Sequence, residues 1–244
     1  MAISAPHYRL MRDLKPILPH GGKLLEIGEA NWYGDTNATQ MVNDTEDTLL
    51  RNRLGDAIEE RDNFAIAKIF YQILFAPSLI HSVDFNGTAA ALKQDLNRPL
   101  RLAHSYDVII NHGTAEHIFN IAQVFKSIHD ACKVGGLMIH ESPFVGWIDH
   151  GFYCLQPTLF YDLAAANGYA IVKVAIESIK LGGAIAVERR EHIADLAAKG
   201  SIPPDAMLFV VFRKVDAGDF KLPMQGYYDG VLTEEGRQAW ETMR

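Results

Sequence analysis

Short apolar runs alternate along the chain with longer amphipathic stretches. The runs lack the strict alternation of half-exposed strands and are typical of strands buried on both faces. The amphipathic stretches have helical spacing and end near glycine or proline. The predicted strands cover residues 23–28, 78–85, 106–111, 137–141, 170–177 and 208–214. The predicted helices cover residues 5–18, 56–75, 115–132, 157–167 and 189–199. Strands that alternate with helices predict a parallel sheet covered on both faces.

The spacing of the elements indicates one domain over residues 1–244, with an N-terminal helix within 1–20. Gly28 and Asp84 follow the first two strands and lie 84 − 28 = 56 residues apart. A minimal strand-helix-strand unit needs only about 20–25 residues there, so residues 35–77 are predicted to be an inserted lid and helix. An oligomer interface is the alternative. The tail, 215–244, could dock on a second subunit, which makes a homodimer a candidate assembly.

Composition narrows the class of protein. The 244 residues include 23 basic and 30 acidic ones, a net charge of −7. This balance disfavours a nonspecific grip on nucleic acid, which needs clustered cations. Two cysteines are too few for a disulfide scaffold or a cysteine-rich zinc site. With no secretory signal and no apolar run of about 20 residues, we expect a cytoplasmic protein with no membrane or nucleic-acid partner.

Ligands of doubly wound folds bind at the carboxyl ends of the strands. The loop after the first strand begins at Gly28 but lacks the Gly-x-Gly-x-x-Gly spacing that cradles a pyrophosphate. NAD, FAD and ATP are therefore disfavoured. Asp84 follows the second strand, where a carboxylate can accept two hydrogen bonds from a ribose diol. Its alternative is a turn aspartate before Asn86 and Gly87.

Five ordered segments resemble the class I S-adenosylmethionine-dependent methyltransferases: Glu26-Ile-Gly28, Ser82-Val-Asp84, Asp95-Leu-Asn97, Tyr106-Asp-Val-Ile-Ile-Asn111 and Val134-Gly-Gly-Leu-Met-Ile139. A more specific resemblance is to a subgroup of bacterial small-molecule methyltransferases often seen beside glycan or natural-product genes. Three segments carry it, residues 111–120, 150–153 and 157–164. The resemblance implies an α/β, Rossmann-like doubly wound sheet of seven strands with helices on both faces. Its last strand, 208–214, would be antiparallel.

The same resemblance implies a site for the cofactor S-adenosylmethionine. Gly28 would lie against its methionine part, with Glu26 beneath to order the loop. Asn111 and Gly113 would line the floor beside the sulfonium. The usual Gly-x-Gly-x-Gly is reduced here to Gly28 and Gly34. Either the cofactor binds a reshaped loop, or it binds weakly or not at all.

The adenosyl part would meet the next two strand ends. Asp84 would bind the ribose hydroxyls. Asp95 would accept from the adenine amino group, and the backbone N–H of Leu96 would donate to the ring.

An oxygen acceptor must lose a proton, and imidazole is the side chain suited to accept it near neutral pH. The candidate catalytic residues at the strand ends are His112, His117 and His150. Glu116 and Glu141 are possible carboxylate partners of these histidines. In each case the alternative is a structural role: a loop histidine bonded to a carbonyl, or Glu116 as an acid in the first helical turn. His140 lies inside a strand and is predicted to be a core residue.

Neither a His-Glu-x-x-His helix nor a His-x-His strand pair is present. Glu116, His117 and His150 could converge with Glu141, but we expect no metal site. The sequence therefore predicts methyl transfer from S-adenosylmethionine to a small-molecule acceptor, an oxygen of a sugar or glycan precursor or of a natural product. One alternative is a methyltransferase-like ligand-binding protein without transfer activity. Another is a different nucleotide-ligand enzyme on the same fold.

Overall fold

The computed structural model describes residues 2–33, 37–178 and 180–243. The strands are β1 (Ala2–Ile3), β2 (Lys23–Ile27), β3 (Asn31–Trp32), β4 (Leu79–Val83), β5 (Tyr106–His112), β6 (Cys132–Pro143), β7 (Ala170–Ser178), β8 (Gly183–Ala186) and β9 (Ala206–Arg213). The helices are α1 (Ala5–Asp13), α2 (Asn37–Asp44), α3 (Thr48–Glu59), α4 (Asn63–Phe75), α5 (Ile121–Ala131), α6 (Pro157–Asn167), α7 (Arg190–Ala198), α8 (Gly226–Asp229) and α9 (Glu234–Thr242). Short 3-10 turns cover Lys15–Ile17 and Ala115–His117. None of the described helices has the length and apolar composition needed to cross a bilayer.

The main sheet has seven strands in the order β4-β2-β5-β6-β9-β7-β8, and β1 pairs with β3 separately. Strands β4, β2, β5 and β6 run parallel, so their carboxyl ends meet at one edge. The chain leaves β2 toward β4 and later crosses to β5 on the other side. This reversal creates the crevice in which doubly wound folds bind ligands. The predicted Rossmann-like class is confirmed.

Strand β9 is antiparallel to both β6 and β7, as predicted for the last strand. It lies inside the sheet rather than at an edge. The edge is formed by β8, which pairs antiparallel with the end of β7 and was not predicted. Its residues, Gly-Ala-Ile-Ala, are too short a run to distinguish from a loop.

Helices cover both faces of the sheet, because successive strand residues point to opposite sides. Leu24 and Ile110 pack with α1 to α4 on one face. Leu25 and Ile109 pack with α5, α6 and α7 on the other. The apolar runs are thus explained by burial on both sides.

The described part of the segment 35–77 forms α2, α3 and α4 with short breaks between them, whereas by sequence its polar residues 35–54 favour an irregular segment and 56–75 one helix. A break separates α3 from α4 because Arg61 has a left-handed φ of 56° and Asp62 caps the next helix, accepting from the Ala65 N–H at 2.9 Å. The helices pack on the sheet face, and none of their residues lines either cavity below. The described helices thus form a packed layer, and a lid role for the segment 35–77 stays a prediction; residues 34–36, with Gly34, lie outside the described residues.

The tail first packs against its own chain. The Gly218 carbonyl lies 2.8 Å from His129 Nε2, and Lys221 N–H donates to Asn167 Oδ1 at 2.7 Å. These bonds hold the tail on α5 and α6. Docking on a second subunit stays a prediction that concerns the later helices α8 and α9.

Candidate functional site

Two neighbouring cavities open at the edge where the parallel strands end. The first has a volume of about 580 Å³ and is lined by Gly28, Val83, Asp84, Phe85, Asn86, Gln94, Asp95, Leu96, Gly113, Thr114, His117 and Ile118. The second has a volume of about 240 Å³ and is lined by Ser4, His7, Tyr33, His112, Gly113, Glu116, His117, Glu141, Trp147, His150 and Met207. Gly113 and His117 belong to both walls, so the cavities adjoin.

Asp84 lies in the first cavity, directly after β4. Its Oδ2 accepts from the Glu29 N–H at 2.9 Å and its Oδ1 from the Asn86 N–H at 2.8 Å. The turn-aspartate interpretation is thus part of its role. An ionised carboxylate accepts about four hydrogen bonds, so each oxygen retains capacity toward the cavity.

Glu29 explains how the loop after β2 closes without its usual glycines. Its carboxylate is buried and accepts from the Thr88 N–H at 2.6 Å and the Thr88 hydroxyl at 3.0 Å. A Cβ on Gly87 would lie 2.7 Å from Glu29 Oε2. The acidic side chain therefore ties the first loop to the one that carries Asp84.

A glycine is needed at position 28 because of its backbone conformation and the close approach of Thr114. The φ of Gly28 is +82°, which disfavours a side chain, and a Cβ would overlap the Thr114 hydroxyl. The glycine thus lets the loop after β2 approach the turn after β5. Across the cavity, Asp95 Oδ1 accepts from both the backbone and side-chain nitrogens of Asn97. These bonds lower the pKa of Asp95.

Glu26 and Asn111 lie beneath the cavities and line neither of them. Glu26 is fully buried, ion-paired with Lys68 and hydrogen-bonded to Ser82. Asn111 Oδ1 accepts from the Ala115 N–H at 3.1 Å and holds the turn after β5. Both residues therefore order the loops, and their implied roles toward a cofactor stay predictions.

The second cavity contains a cluster of two imidazoles and one carboxylate. Glu116 Oε1 lies 3.9 Å from Nε2 of His117 and 3.9 Å from Nε2 of His150. Glu116 lies in the first turn of the 3-10 helix before α5, so its structural alternative as an acid of a first helical turn stays open. It is fully buried, and burial raises the pKa of its carboxyl group to about 7.

His112 faces a residue that no sequence pattern singled out. Its ring stacks on His7 of α1 with centroids 4.6 Å apart. The Ser4 N–H donates to His7 Nδ1 at 3.1 Å, which places the proton of a neutral ring on Nε2, paired with Glu141. Burial lowers the pKa of both histidines and raises that of Glu141 to about 8. This part of the cavity is thus held by neutral groups.

The structure therefore brings most of the predicted site residues together. Gly28, Asp84, Asp95 and Leu96 line the first cavity. His112 and His150 line the second. His7, Ser4 and Trp147 were missed, because nothing in their local sequence signals a distant cavity. His140 is buried between phenylalanines of α5 and α6, as predicted for a core residue.

No protein-family model matches the chain, and no curated protein matches its sequence. Similar solved structures exist. The N-methyltransferase NodS from Bradyrhizobium japonicum WM9, in complex with S-adenosylhomocysteine, has a TM-score of 0.49 and 12% identity, over 86% of this chain and 88% of that one. The plantazolicin methyltransferase BpumL, also with S-adenosylhomocysteine, has a TM-score of 0.43 and 14% identity, over 86% and 84%. The [4+2]-cyclase SpnF has a TM-score of 0.44 and 15% identity, over 86% and 82%.

Proposed function

We propose that this protein binds S-adenosylmethionine in the first cavity and transfers its methyl group to a small-molecule acceptor in the second. The observation that carries the proposal is the shared wall of Gly113 and His117. A ligand that fills one cavity would meet a ligand in the other at this wall. Methyl transfer from a sulfonium is an in-line displacement, for which such end-to-end placement is the main requirement.

We assign the adenosyl group to the first cavity because that cavity lies at the strand ends and is lined by two carboxylates. Asp84 would accept from the two ribose hydroxyls, and Asp95 and Leu96 would meet the adenine. The methionine part would lie toward Gly28 and Gly113. A 580 Å³ cavity is within the range of about 300–1,000 Å³ that holds cofactors.

The acceptor is proposed to present an oxygen. Its oxygen would attack the methyl carbon, the carbon–sulfur bond would break with its electron pair going to sulfur, and the hydroxyl proton would pass to an imidazole. His112, His117 and His150 line the second cavity, and His117 also reaches the first. The second cavity, at 240 Å³, is below the usual ligand range. It would hold the reacting portion of a sugar, glycan precursor or natural product rather than a large molecule whole.

Isothermal titration calorimetry with S-adenosylhomocysteine tests the cofactor assignment. We expect micromolar binding, and Asp84→Asn should weaken it by about 10- to 100-fold because hydrogen bonds to a charged acceptor contribute about 1.5–3 kcal/mol. Asp219→Asn is the matched control, since it removes an exposed charge outside both cavities. Equal binding by the two variants, or a preference for NAD, would refute the assignment.

Transfer is tested separately, with methyl-labelled cofactor and a panel of hydroxylated acceptors. Turnover that His117→Ala reduces at least tenfold, with S-adenosylhomocysteine binding retained, supports the proposal. Cofactor binding without turnover across the panel would instead favour a ligand-binding protein that has lost transfer. The reshaped loop, closed by Glu29 rather than by glycines, is the feature that makes this second candidate worth testing.

A further inference from the structure

Glu116, His117 and His150 bring three potential ligand atoms to one place in the wall of the second cavity. One carboxylate oxygen and two ring nitrogens lie within 4.8 Å of one another. We infer that these three residues bind a divalent transition-metal ion. Glu141, which the sequence places beside them, pairs with His7 instead and is not part of the set.

The local fold holds the three residues together before any ion binds. The carbonyl oxygen of Glu116 accepts from the Phe152 N–H at 2.9 Å and from the Tyr153 N–H at 3.3 Å. These bonds fasten the loop that carries His150 onto the turn that carries Glu116 and His117. The imidazole rings of the two histidines consequently lie only 4.9 Å apart.

A second observation points to a bound cation. Glu116 has no exposed surface, and among the described residues neither of its carboxylate oxygens accepts a hydrogen bond from another residue. Two other buried acids have donors, since Glu26 has Lys68 and Glu29 has Thr88, whereas the buried Glu177 also has none among the described residues. A buried carboxylate without a donor is costly. An ion that neutralises it removes this cost.

The ligand types select the class of ion. Imidazole and carboxylate together suit Zn²⁺, Co²⁺, Fe²⁺ and Mn²⁺ better than Mg²⁺ or Ca²⁺, which prefer oxygen ligands. Ligand atoms of a tetrahedral site lie about 3.3 Å apart when each is about 2.0–2.1 Å from the metal. The observed 3.9 Å separations therefore need only a small inward rotation of His117 and His150, whose side chains are 43% and 38% exposed.

Three protein ligands leave at least one coordination position open, as in catalytic zinc sites. That position would face the second cavity and could take an acceptor oxygen. This consequence rests on the proposed function, whereas binding of the ion does not. With an ion in place, His117 and His150 would act as ligands rather than as proton acceptors.

Cobalt titration of the untagged, chelator-treated protein tests the inference with no cofactor present. We expect one Co²⁺ per chain, seen as a visible absorption band, and displacement of Co²⁺ by Zn²⁺. Glu116→Gln and His150→Gln should each weaken Co²⁺ binding at least tenfold. His104→Gln is the control, because His104 and His81 form another pair of neighbouring rings, 5.7 Å apart.

Absence of Co²⁺ and Zn²⁺ binding at 100 μM by folded protein would overturn the inference. Binding that survives in both site variants, or that His104→Gln abolishes, would overturn it equally. Circular dichroism verifies that each variant is folded. S-adenosylhomocysteine binding is measured on the same metal-free samples, so failure of the metal site and failure of the proposed function give different results.

Discussion

His140 provides a quantitative test of how this fold buries polar groups. The residue lies in β6 and is 2% exposed, and its ring contacts the rings of Phe125, Phe160 and Phe212. Its polar neighbour is Asn111, whose Nδ2 lies 3.4 Å from His140 Nδ1. Burial lowers the pKa of His140 to about 3, because the ring is removed from the water that would solvate its charged form.

The direction and size of the effect follow from this pKa. In the unfolded chain the imidazole titrates near 6.5, so between pH 3 and 6.5 the unfolded state binds more protons than the folded state. Stability from this group is therefore complete above pH 6.5 and is lost as the pH falls toward 3. At pH 5 the loss is about 2 kcal/mol, from 1.5 pH units at about 1.36 kcal/mol each.

Urea unfolding at pH 7.5 and pH 5.0 measures this loss. In the parent chain, His140 and other titrating groups together lower the free energy of unfolding between pH 7.5 and pH 5.0. His140→Leu should make this decrease about 2 kcal/mol smaller. The exposed His20, changed to Leu, is the control for loss of an imidazole. If His140→Leu and the parent lose equal stability on acidification, the imidazole is not held neutral by burial and the reasoning fails.

Two other substitutions test packing and charge at the base of the site. Lys68→Met should destabilise the fold by about 3–5 kcal/mol in urea unfolding, because it leaves the buried Glu26 carboxylate without its cation; adding Glu26→Gln should recover part of that loss, and an unchanged double variant would contradict this account. Gly146→Ala should lower the melting temperature well beyond Gly135→Ala in calorimetry. Both glycines have positive φ, which costs a side chain about 1–2 kcal/mol, but only the Cβ at 146 would overlap the Pro204 carbonyl.

Most of the sheet could be predicted from sequence because its strands are apolar on both sides. The runs in β2, β5 and β9 leave no other place for those side chains than a doubly covered sheet. Helix α2 and most of α3 could not be predicted, since both are rich in polar residues and gain their order from packing on α1 and α4. Tertiary contact overrides weak local propensity in such segments.

The location of the first cavity could be predicted from the sequence more fully than the location of the second, and the reason is physical. The first is built from residues directly after parallel strands, such as Gly28, Asp84 and Gly113, so knowing the strand ends locates them. The second combines α1, the turn after β5 and the loop after β6. Those segments meet through backbone bonds such as Phe152 N–H to the Glu116 carbonyl, which any residue can make and no pattern encodes.

The same difference separates cofactor binding, which depends on the sheet, from acceptor and ion binding, which depend on the loops. A cofactor held at strand ends depends on the sheet, which many sequences can form. An acceptor, and an ion held by Glu116, His117 and His150, depend on loops whose side chains change without cost to the sheet. The buried carboxyl group of Glu116 accepts no hydrogen bond from another described residue, and it is therefore the position at which the proposed ion is best tested.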